Sequence, residues 1–448
     1  MATMSAEARK SSPAPAVIIR PPEALTVTTT TSGGTIKLTS FDRGFVKVPF
    51  TVLLVFEHMD HEAIDSIKRA LSQALVHYYP FAGRIIISSE AVGGDEFSIR
   101  CTSDGVEFLT ASMDCSLKEA KILDESPIGK INPLLNELAV LYPAGSYGFD
   151  DPLLSVQVTE FSCGGLVLAV TSNHAIADGV GIAQFLATVG ELARGFPSPS
   201  VVPVRWDDAV SRHEPWPNPI VQAMLACPES QGMELIVPLD ITIPSALINR
   251  VKAEYLSCGG FDDGQAPCTV FEVVIAVLWR CHIRATMSNK NPVNPVYLSF
   301  ATDMRKYVGA KDGYYGNCSA DCLLSMPTRS TAAEAAILDL IRMIKRAKDQ
   351  LPDMVKKGND DQLMMQQGLR DRYDMIHVTT WRNVGFEHVD FGGGAPARVM
   401  FHGRGGTPPV PICIMYPPCK GMDGVNLLVL SVKEEHVDAF LGELANHT

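Results

Sequence analysis

The chain has 448 residues, of which 46% are hydrophobic and 20% charged, as is typical of a globular protein with substantial cores. Its 38 Lys and Arg against 50 Asp and Glu give a net charge of −12, which argues against general binding to nucleic acid or to anionic membranes. No stretch approaches the roughly 18 apolar residues of a membrane-spanning helix. The 11 cysteines lack CxxC pairs, which indicates reduced thiols and a cytoplasmic protein.

The N-terminal half is predicted to alternate strands and helices after a disordered tail over residues 1–16. Apolar residues at helical spacing predict a helix from His61 to His77, with Asp60 as its N-cap. The predicted strands are 17–20, 52–56, 85–88, 97–101, 106–109 and 153–161. Without a clean βα repeat, these elements favour a mixed sheet.

Prolines mark the change to the C-terminal half. Seven of them between residues 197 and 228 predict a long crossover loop over 196–231, which joins a domain of residues 1–195 to one of 232–448. The second domain repeats the mixed α/β character. Its predicted helices are 245–256, 269–287, 331–351 (opened by a Thr331–Glu334 capping box) and 434–446. Its predicted strands are 235–237, 296–300, 375–381, 397–401, 412–415 and 425–432.

The most informative stretch lies at the end of the first domain. The apolar run from Leu166 to Val170 predicts a buried strand, and a helical pattern begins after Gly179. Between them stands the sequence HAIADG. We therefore expect His174 and Asp178 on a turn at a strand end, where an imidazole can face a cleft.

Three interpretations of this pair stay open from the residues alone. His174 can be a core histidine, with Asp178 as the N-cap of the following helix. It can instead be a general base, since an unperturbed pKa of about 6.5 suits proton abstraction near neutral pH. A metal site is the third, but no second His or Cys stands at ligand spacing, and we predict no metal.

Four motifs occur in one order: HAIADG, the helix FEVVIAVLWR, YYGN at Tyr314 to Asn317, and DFGGG at Asp390 to Gly394. This set resembles the plant BAHD acyltransferase family, whose hallmarks are HxxxDG in mid-chain and DFGWG near the C-terminus. Segments such as YYPFAGR resemble the branch of alcohol benzoyltransferases and taxane acyltransferases. The resemblance implies two similar chloramphenicol-acetyltransferase-like α/β domains, each with a central mixed sheet.

The same resemblance implies catalytic roles. His174 is expected to remove a proton from a hydroxyl or amine as it attacks the thioester of an acyl-CoA, with no covalent intermediate and no permanently bound cofactor. Asp178 is expected to point away from the cleft and hold the loop, together with Gly179 of the same motif. Thr379 and Trp381 match positions that help to stabilise a tetrahedral oxyanion.

Binding residues are implied more weakly. Those expected near CoA are Thr269, Arg305, Tyr315, Gly316 and Asn317. Lys306 and Lys311 extend a basic cluster that is either a phosphate contact or a solvated face. Position alone suggests contacts with the acceptor from Leu38, Ser40, Asp42 and Phe401.

The DFGGG motif departs from the family pattern, because Gly393 stands where the family has Trp. The structural motif then comprises Asp390, Phe391, Gly392 and Gly394, and Asp390 is expected to pair with Arg305. Three successive glycines predict a flexible loop without a large apolar anchor.

The implied function is transfer of an aromatic acyl group, benzoyl or hydroxycinnamoyl, from acyl-CoA to an alcohol or amine of a small specialised metabolite. A cytoplasmic monomer is expected, with one channel between the domains and His174 on its wall. Two alternatives stay open. One is a non-catalytic homologue that binds a small molecule or a partner. The other is a carrier-protein-dependent condensation enzyme, whose motif typically has two adjacent histidines where this chain has Asn173 and His174.

Overall fold

The structure, a computed structural model, describes residues 17–20, 34–60, 62–88, 96–124, 132–142, 147–212, 236–258, 267–287, 290–351, 371–402 and 410–447. The predicted tail and most of the predicted crossover, from residue 213 to 231, lie outside these ranges. The strands are β1 (Val17–Ile19), β2 (Thr35–Lys37), β3 (Pro49–Phe56), β4 (Arg84–Ser88), β5 (Glu96–Arg100), β6 (Val106–Met113), β7 (Leu154–Phe161), β8 (Leu166–Asn173), β9 (Leu239–Ile243), β10 (Val296–Asp303), β11 (Ser319–Met326), β12 (Met375–Thr380), β13 (Arg398–His402), β14 (Ile412–Tyr416) and β15 (Val425–Leu430).

The α-helices of the described ranges vary from one turn to 16 residues. They are α1 (Ser40–Arg43), α2 (Ala63–His77), α3 (Gly179–Ala193), α4 (Asp208–Ser211), α5 (Ser245–Cys258), α6 (Val270–Ala285), α7 (Arg305–Val308), α8 (Arg329–Glu334), α9 (Ile337–Asp349) and α10 (Val437–Ala445). No helix in this part of the chain is both long and apolar enough to cross a membrane.

Two six-stranded sheets organise the two halves of the chain. The first sheet has the order β1-β6-β7-β8-β3-β13, and the second has the order β11-β10-β12-β14-β15-β9. Both are mixed: β6 and β7 are parallel in the first, as are β10, β12 and β14 in the second, and the other neighbours are antiparallel. The predicted mixed α/β class is confirmed.

The first sheet is completed by a strand from the C-terminal half. β13 pairs antiparallel with β3, which places Met400 opposite Leu53. The predicted division into 1–195, 196–231 and 232–448 follows the chain order but does not include this exchange. An apolar pattern predicts that residues 397–401 form a strand, yet it carries no information about which sheet the strand joins.

β8 is buried along its whole length because both faces of the first sheet are covered. Leu166, Leu168 and Val170 pack into the core beneath α2 and α3, whereas Val167 and Ala169 pack into a smaller cluster beneath residues 113–123 and 134–141. Alternate residues thus bury opposite faces, as a strand requires. This accounts for the continuous apolar run and fixes the position of the turn that follows it.

Several predicted boundaries are wrong. The helix predicted over 331–351 is two helices, because the extended backbone of Ala335 and Ala336 separates α8, which ends at Glu334, from α9. The predicted capping box at Thr331 is also wrong, because α8 begins earlier, where the side chain of Thr328 accepts from the backbone of Thr331. The N-cap of α2 is Glu62, not Asp60. In place of a strand at 235–237, Ile236 forms an isolated bridge, and the edge strand is β9.

Candidate active site

The turn after β8 is fixed by backbone hydrogen bonds to the segment before β3. The amide of His174 donates to the carbonyl of Val48 at 2.8 Å. The side chain of Asn173 donates to the carbonyl of Val46 at 2.8 Å and accepts from the amide of Ala175 at 3.0 Å. His174 is half-buried, and the next four residues are buried. The predicted placement at a strand end is confirmed.

The imidazole of His174 faces the side-chain amide of Asn317. Nδ1 of His174 lies 3.1 Å from Oδ1 of Asn317. Nδ2 of Asn317 donates both its protons elsewhere, to the carbonyl of His174 at 2.7 Å and to Oδ1 of Asp42 at 2.9 Å. The amide oxygen, which can only accept, must therefore face the ring. It follows that Nδ1 carries the proton, and that Nε2 has the free lone pair a general base needs.

Aromatic rings hold the imidazole on its other sides. Phe45 stacks on it at 4.2 Å between ring centroids and 16° between planes, and Phe50 lies tilted at 4.7 Å. Phe50 in turn contacts Trp381 edge-on at 6.0 Å. These contacts restrict rotation of the ring and exclude water from its faces.

Burial lowers the pKa of His174 below its usual value of 6.5. The backbone, the carboxylates of Asp178 and Asp42, and the hydrogen bond to Asn317 oppose this shift without cancelling it. A desolvated imidazole resists protonation because the charged form loses hydration. The ring is therefore neutral at neutral pH, as proton abstraction requires.

Asp178 directs its carboxylate away from the imidazole. Oδ1 accepts from the backbone of Gly181 at 3.0 Å, which caps α3, and from Nη2 of Arg305 at 2.9 Å. Oδ2 accepts from the backbone of Cys318 at 3.1 Å. Asp178 thus has the predicted N-cap geometry and joins the turn to the second sheet.

The expected pair of Asp390 with Arg305 is wrong. Asp390 lies at the C-terminal end of α3, where Arg194 donates to it at 2.6 Å. Arg305 lies at the opposite end of α3 and is held by Asp178, Asp303 and the carbonyls of Tyr314 and Gly316. A 15-residue helix separates the two sites.

The loop around Gly393 has no space for the family Trp. A Cβ atom at this position would lie 2.3 Å from the carbonyl oxygen of His58 and 2.6 Å from Sδ of Met59. Oδ1 of Asp390 also accepts from the backbones of Gly392 and Gly394, at 2.8 and 2.9 Å. The buried ring of Phe391 packs on Phe56 at 5.5 Å. The loop thus lacks the anchor that the family Trp would give, as the sequence predicts, and Phe391 is its remaining apolar contact.

Several residues expected near CoA have other positions. Tyr315 is 1% exposed, with its ring against Tyr78 and Phe81, so its side chain lies in the core. Buried Gly316 uses its carbonyl to hold Arg305. Thr269, one of the five residues expected near CoA, is exposed, and it caps α6 in a reciprocal capping box with Glu272. Lys306 and Lys311 are exposed.

The acceptor prediction is corrected in part. Leu38 and Asp42 are 1% and 0% exposed, so neither has surface to offer a substrate. Ser40 and Phe401 are half-buried, and Phe401 contacts Trp381 at 5.6 Å.

The two predicted oxyanion residues are Thr379, near the end of β12, and Trp381, just after it. Thr379 is half-buried, and the indole of Trp381 lies against Gly179, where a Cβ atom would be 3.7 Å from Nε1.

The sequence did not predict Phe45 and Phe50, because their proximity to His174 depends on how β3 pairs with β8. The described residues contain no cluster of His, Cys, Asp or Glu able to hold a metal ion.

Comparison with known proteins decides the family. Residues 17–445 match the model of the Transferase family. The chain belongs to this family, the BAHD acyltransferases. It is 38% identical to Acyl transferase 15 of Oryza sativa subsp. japonica, over 99% of each chain. It is 30% identical to a myricetin 3-O-glucosyl 1,2-rhamnoside 6'-O-caffeoyltransferase of Crocosmia x crocosmiiflora, over 94% of this chain and 96% of the relative.

One further relative and two solved structures are similar to this BAHD acyltransferase. The 3'-N-debenzoyl-2'-deoxytaxol N-benzoyltransferase of Taxus canadensis is 31% identical, over 85% of this chain and 84% of the relative. Vinorine synthase has the same fold, with a TM-score of 0.71 and 20% identity over 98% of each chain. F. sporotrichioides TRI101, solved with coenzyme A and T-2, matches with a TM-score of 0.66 and 14% identity over 91% of this chain and 97% of that one.

The geometry of Asp178 predicts a structural phenotype. Asp178→Ala removes an N-cap, which typically contributes about 0.5 to 2 kcal/mol, and leaves Arg305 without the more buried of its two carboxylate partners. We expect a melting temperature several degrees lower, with a smaller effect on turnover by the folded fraction. The matched control is Asp303→Ala, which removes an exposed carboxylate from the same arginine and should change stability little. Wild-type melting with complete loss of turnover would contradict this account.

Proposed function

We propose that this BAHD acyltransferase transfers an aromatic acyl group from acyl-CoA to a hydroxyl or amine of a small metabolite, with His174 as general base. One observation carries the proposal. Nδ1 of His174 faces an oxygen that can only accept, so Nε2 is left to take a proton. The relatives named as acyltransferases make acyl transfer the reaction to which this base belongs.

The proposed chemistry needs one base and one oxyanion site. Nε2 of His174 removes the proton of the acceptor as its oxygen or nitrogen attacks the thioester carbonyl. The tetrahedral oxyanion receives hydrogen bonds from the Thr379 hydroxyl and the Trp381 indole. The intermediate then expels the CoA thiolate, which takes the proton from the imidazolium. Oδ1 of Asn317 and the nearby carboxylates of Asp178 and Asp42 stabilise the transient cation.

The aromatic wall around His174 supports an aromatic acyl group. Phe45, Phe50, Trp381 and Phe401 form a chain of ring contacts that begins at the imidazole, and Phe45 and Phe401 are half-buried. Planar rings pack well against such surfaces. Two relatives are named for caffeoyl and benzoyl transfer. A screen of benzoyl-, hydroxycinnamoyl- and acetyl-CoA against alcohols and amines tests this choice, and a preference for acetyl-CoA would contradict it.

The phosphate end of CoA is proposed to lie near Thr269. Burial and the carboxylate of Glu272 raise the pKa of the Cys268 thiol beside it, and the charges of Lys252 and Lys345 partly oppose this. Nζ of Lys345 also lies 3.5 Å from the carbonyl of Pro267. This positive charge adds to the partial charge at the N-terminus of α6, in a chain whose net charge is −12. We further propose a cytoplasmic monomer with no partner beyond its two substrates.

Charge reversal tests the CoA location. Lys345→Glu should raise the KM for acyl-CoA about tenfold with little change in kcat, since it removes one attractive charge and adds a repulsive one. The matched control is Arg346→Glu, the exposed neighbour on the same helix. An equal KM increase for both would indicate a general charge effect. A KM increase only for Lys306→Glu and Lys311→Glu would move the phosphates to that cluster.

Replacement of the base tests the mechanism. His174→Ala should lower kcat with an alcohol acceptor by about 100 to 10,000 fold, the range of general-base catalysis. CoA release and product mass measure the loss, and the melting temperature and CoA affinity should stay near wild type. A variant that keeps more than about a tenth of wild-type activity contradicts the assignment. A wild-type protein that binds CoA but releases none from any donor and acceptor supports the non-catalytic alternative.

A further inference from the structure

Asp42, which was predicted from the sequence to contact the acceptor, is a carboxylate near His174 that accepts five hydrogen bonds. Oδ2 accepts from the backbone and hydroxyl of Thr39, both at 2.8 Å, and from Nη2 of Arg205 at 3.0 Å. Oδ1 accepts from the backbone and side chain of Asn317 at 3.2 and 2.9 Å. The residue is 0% exposed. Each of these partners is a donor. Oδ2 is therefore bound by Thr39 and Arg205, and Oδ1 is bound by Asn317.

Arg205 brings the crossover segment into this network. The backbone of Val204 accepts from the amide of Tyr315 at 3.0 Å and donates to the carbonyl of Gly313 at 2.9 Å, which aligns the segment beside the turn that carries Asn317. Nη2 of Arg205 then reaches both Asp42 and, at 3.3 Å, the carbonyl of Ala175. Burial alone would lower the pKa of Arg205, but the carboxylate of Asp42 outweighs it and raises the pKa.

Both charged groups of this ion pair have lost their hydration, because the side chains of Arg205 and Asp42 are 3% and 0% exposed. A buried pair of this kind is weak support for stability, and its better-attested use is to specify one arrangement. Here the arrangement it specifies is that of Asn317. With Oδ2 committed to Arg205 and Thr39, Oδ1 is left to accept from the amide of Asn317.

We propose that Asp42 and Arg205 are positioning residues that fix the tautomer of His174 through the orientation of Asn317. Because Asp42 and the carbonyl of His174 both offer only acceptors, Asn317 turns its nitrogen toward them and its oxygen toward Nδ1 of His174. The proton is then confined to Nδ1, and Nε2 stays a base. The inference rests on the proposed role of His174, but the tautomer exists whether or not the protein transfers acyl groups.

One isosteric change should disturb the network. In Asp42→Asn, Thr39 and Arg205 still require an acceptor at the Oδ2 position, so the new amide nitrogen takes the Oδ1 position. It then meets two donors of Asn317, the backbone and the side-chain amide, and no longer favours the wild-type orientation of that amide. Only the carbonyl of His174 still holds the nitrogen of Asn317, so molecules in which the amide has turned over become populated. In those molecules the ring proton moves to Nε2, and the lone pair that takes the acceptor proton is lost.

The test is ¹⁵N NMR of the full-length protein with labelled histidine, at a pH where His174 is neutral, with its signals assigned by their loss in His174→Gln. Wild type should show a protonated Nδ1 alone, whereas Asp42→Asn should show a second form with a protonated Nε2, and kcat should fall in proportion to the fraction of molecules in that form. The matched control is Asp207→Asn. Asp207 is 1% exposed in the same segment, caps α4, and accepts from the backbone of Lys311 outside the network.

A protonated Nδ1 alone in folded Asp42→Asn, with no second form, would overturn the proposal, as would the same tautomer change in the control. If Asp42→Asn does not fold, the charge-balanced variant Asp42→Asn/Arg205→Gln is measured in the same way, since Thr39 still requires an acceptor there. Failure of the base assignment looks different. His174→Ala would then keep activity while Asp42→Asn still moved the proton.

Discussion

The site depends on one side-chain amide, that of Asn317. Its nitrogen has two protons and two acceptors, and its oxygen meets one ring nitrogen of His174. Asn317 belongs to the C-terminal half, whereas His174 and Asp42 belong to the N-terminal half. A correct tautomer therefore requires that both halves be folded and in contact, and the chemistry cannot be assigned to either half alone.

Ion pairs across the same junction maintain this contact. α3 is held at its N-terminus by Asp178 and Arg305, and at its C-terminus by Arg194 and Asp390. β13 adds a third connection, because it pairs with the first sheet while Arg398 donates to Asp240 of β9 in the second sheet at 2.5 Å. The two halves are thus joined at three separated points, which limits the movement of the imidazole relative to β12.

Local patterns predicted most of the elements, and they predicted His174 on a strand-end turn, because burial and helical spacing are written in consecutive residues. The N-cap of Asp178 follows from the same local chemistry. Partners distant in sequence were not predictable. Nothing near Asp390 distinguishes Arg194 from Arg305 as its partner, and nothing near Asp42 indicates a buried carboxylate rather than a substrate contact. The YYGN motif marked Asn317 as important, but only the fold shows that it contacts His174.

The central claim is that the neutral imidazole of His174 is the base, and the pH dependence of kcat/KM with an alcohol acceptor tests it most directly. Burial lowers the pKa of His174 below the ordinary histidine pKa of 6.5. The value of kcat/KM should therefore stay level as the pH falls from 8 to 6.5. It should then drop about tenfold per pH unit below the lowered pKa. A midpoint clearly above 6.5, or the same acid limb in the residual activity of His174→Ala, would contradict the account.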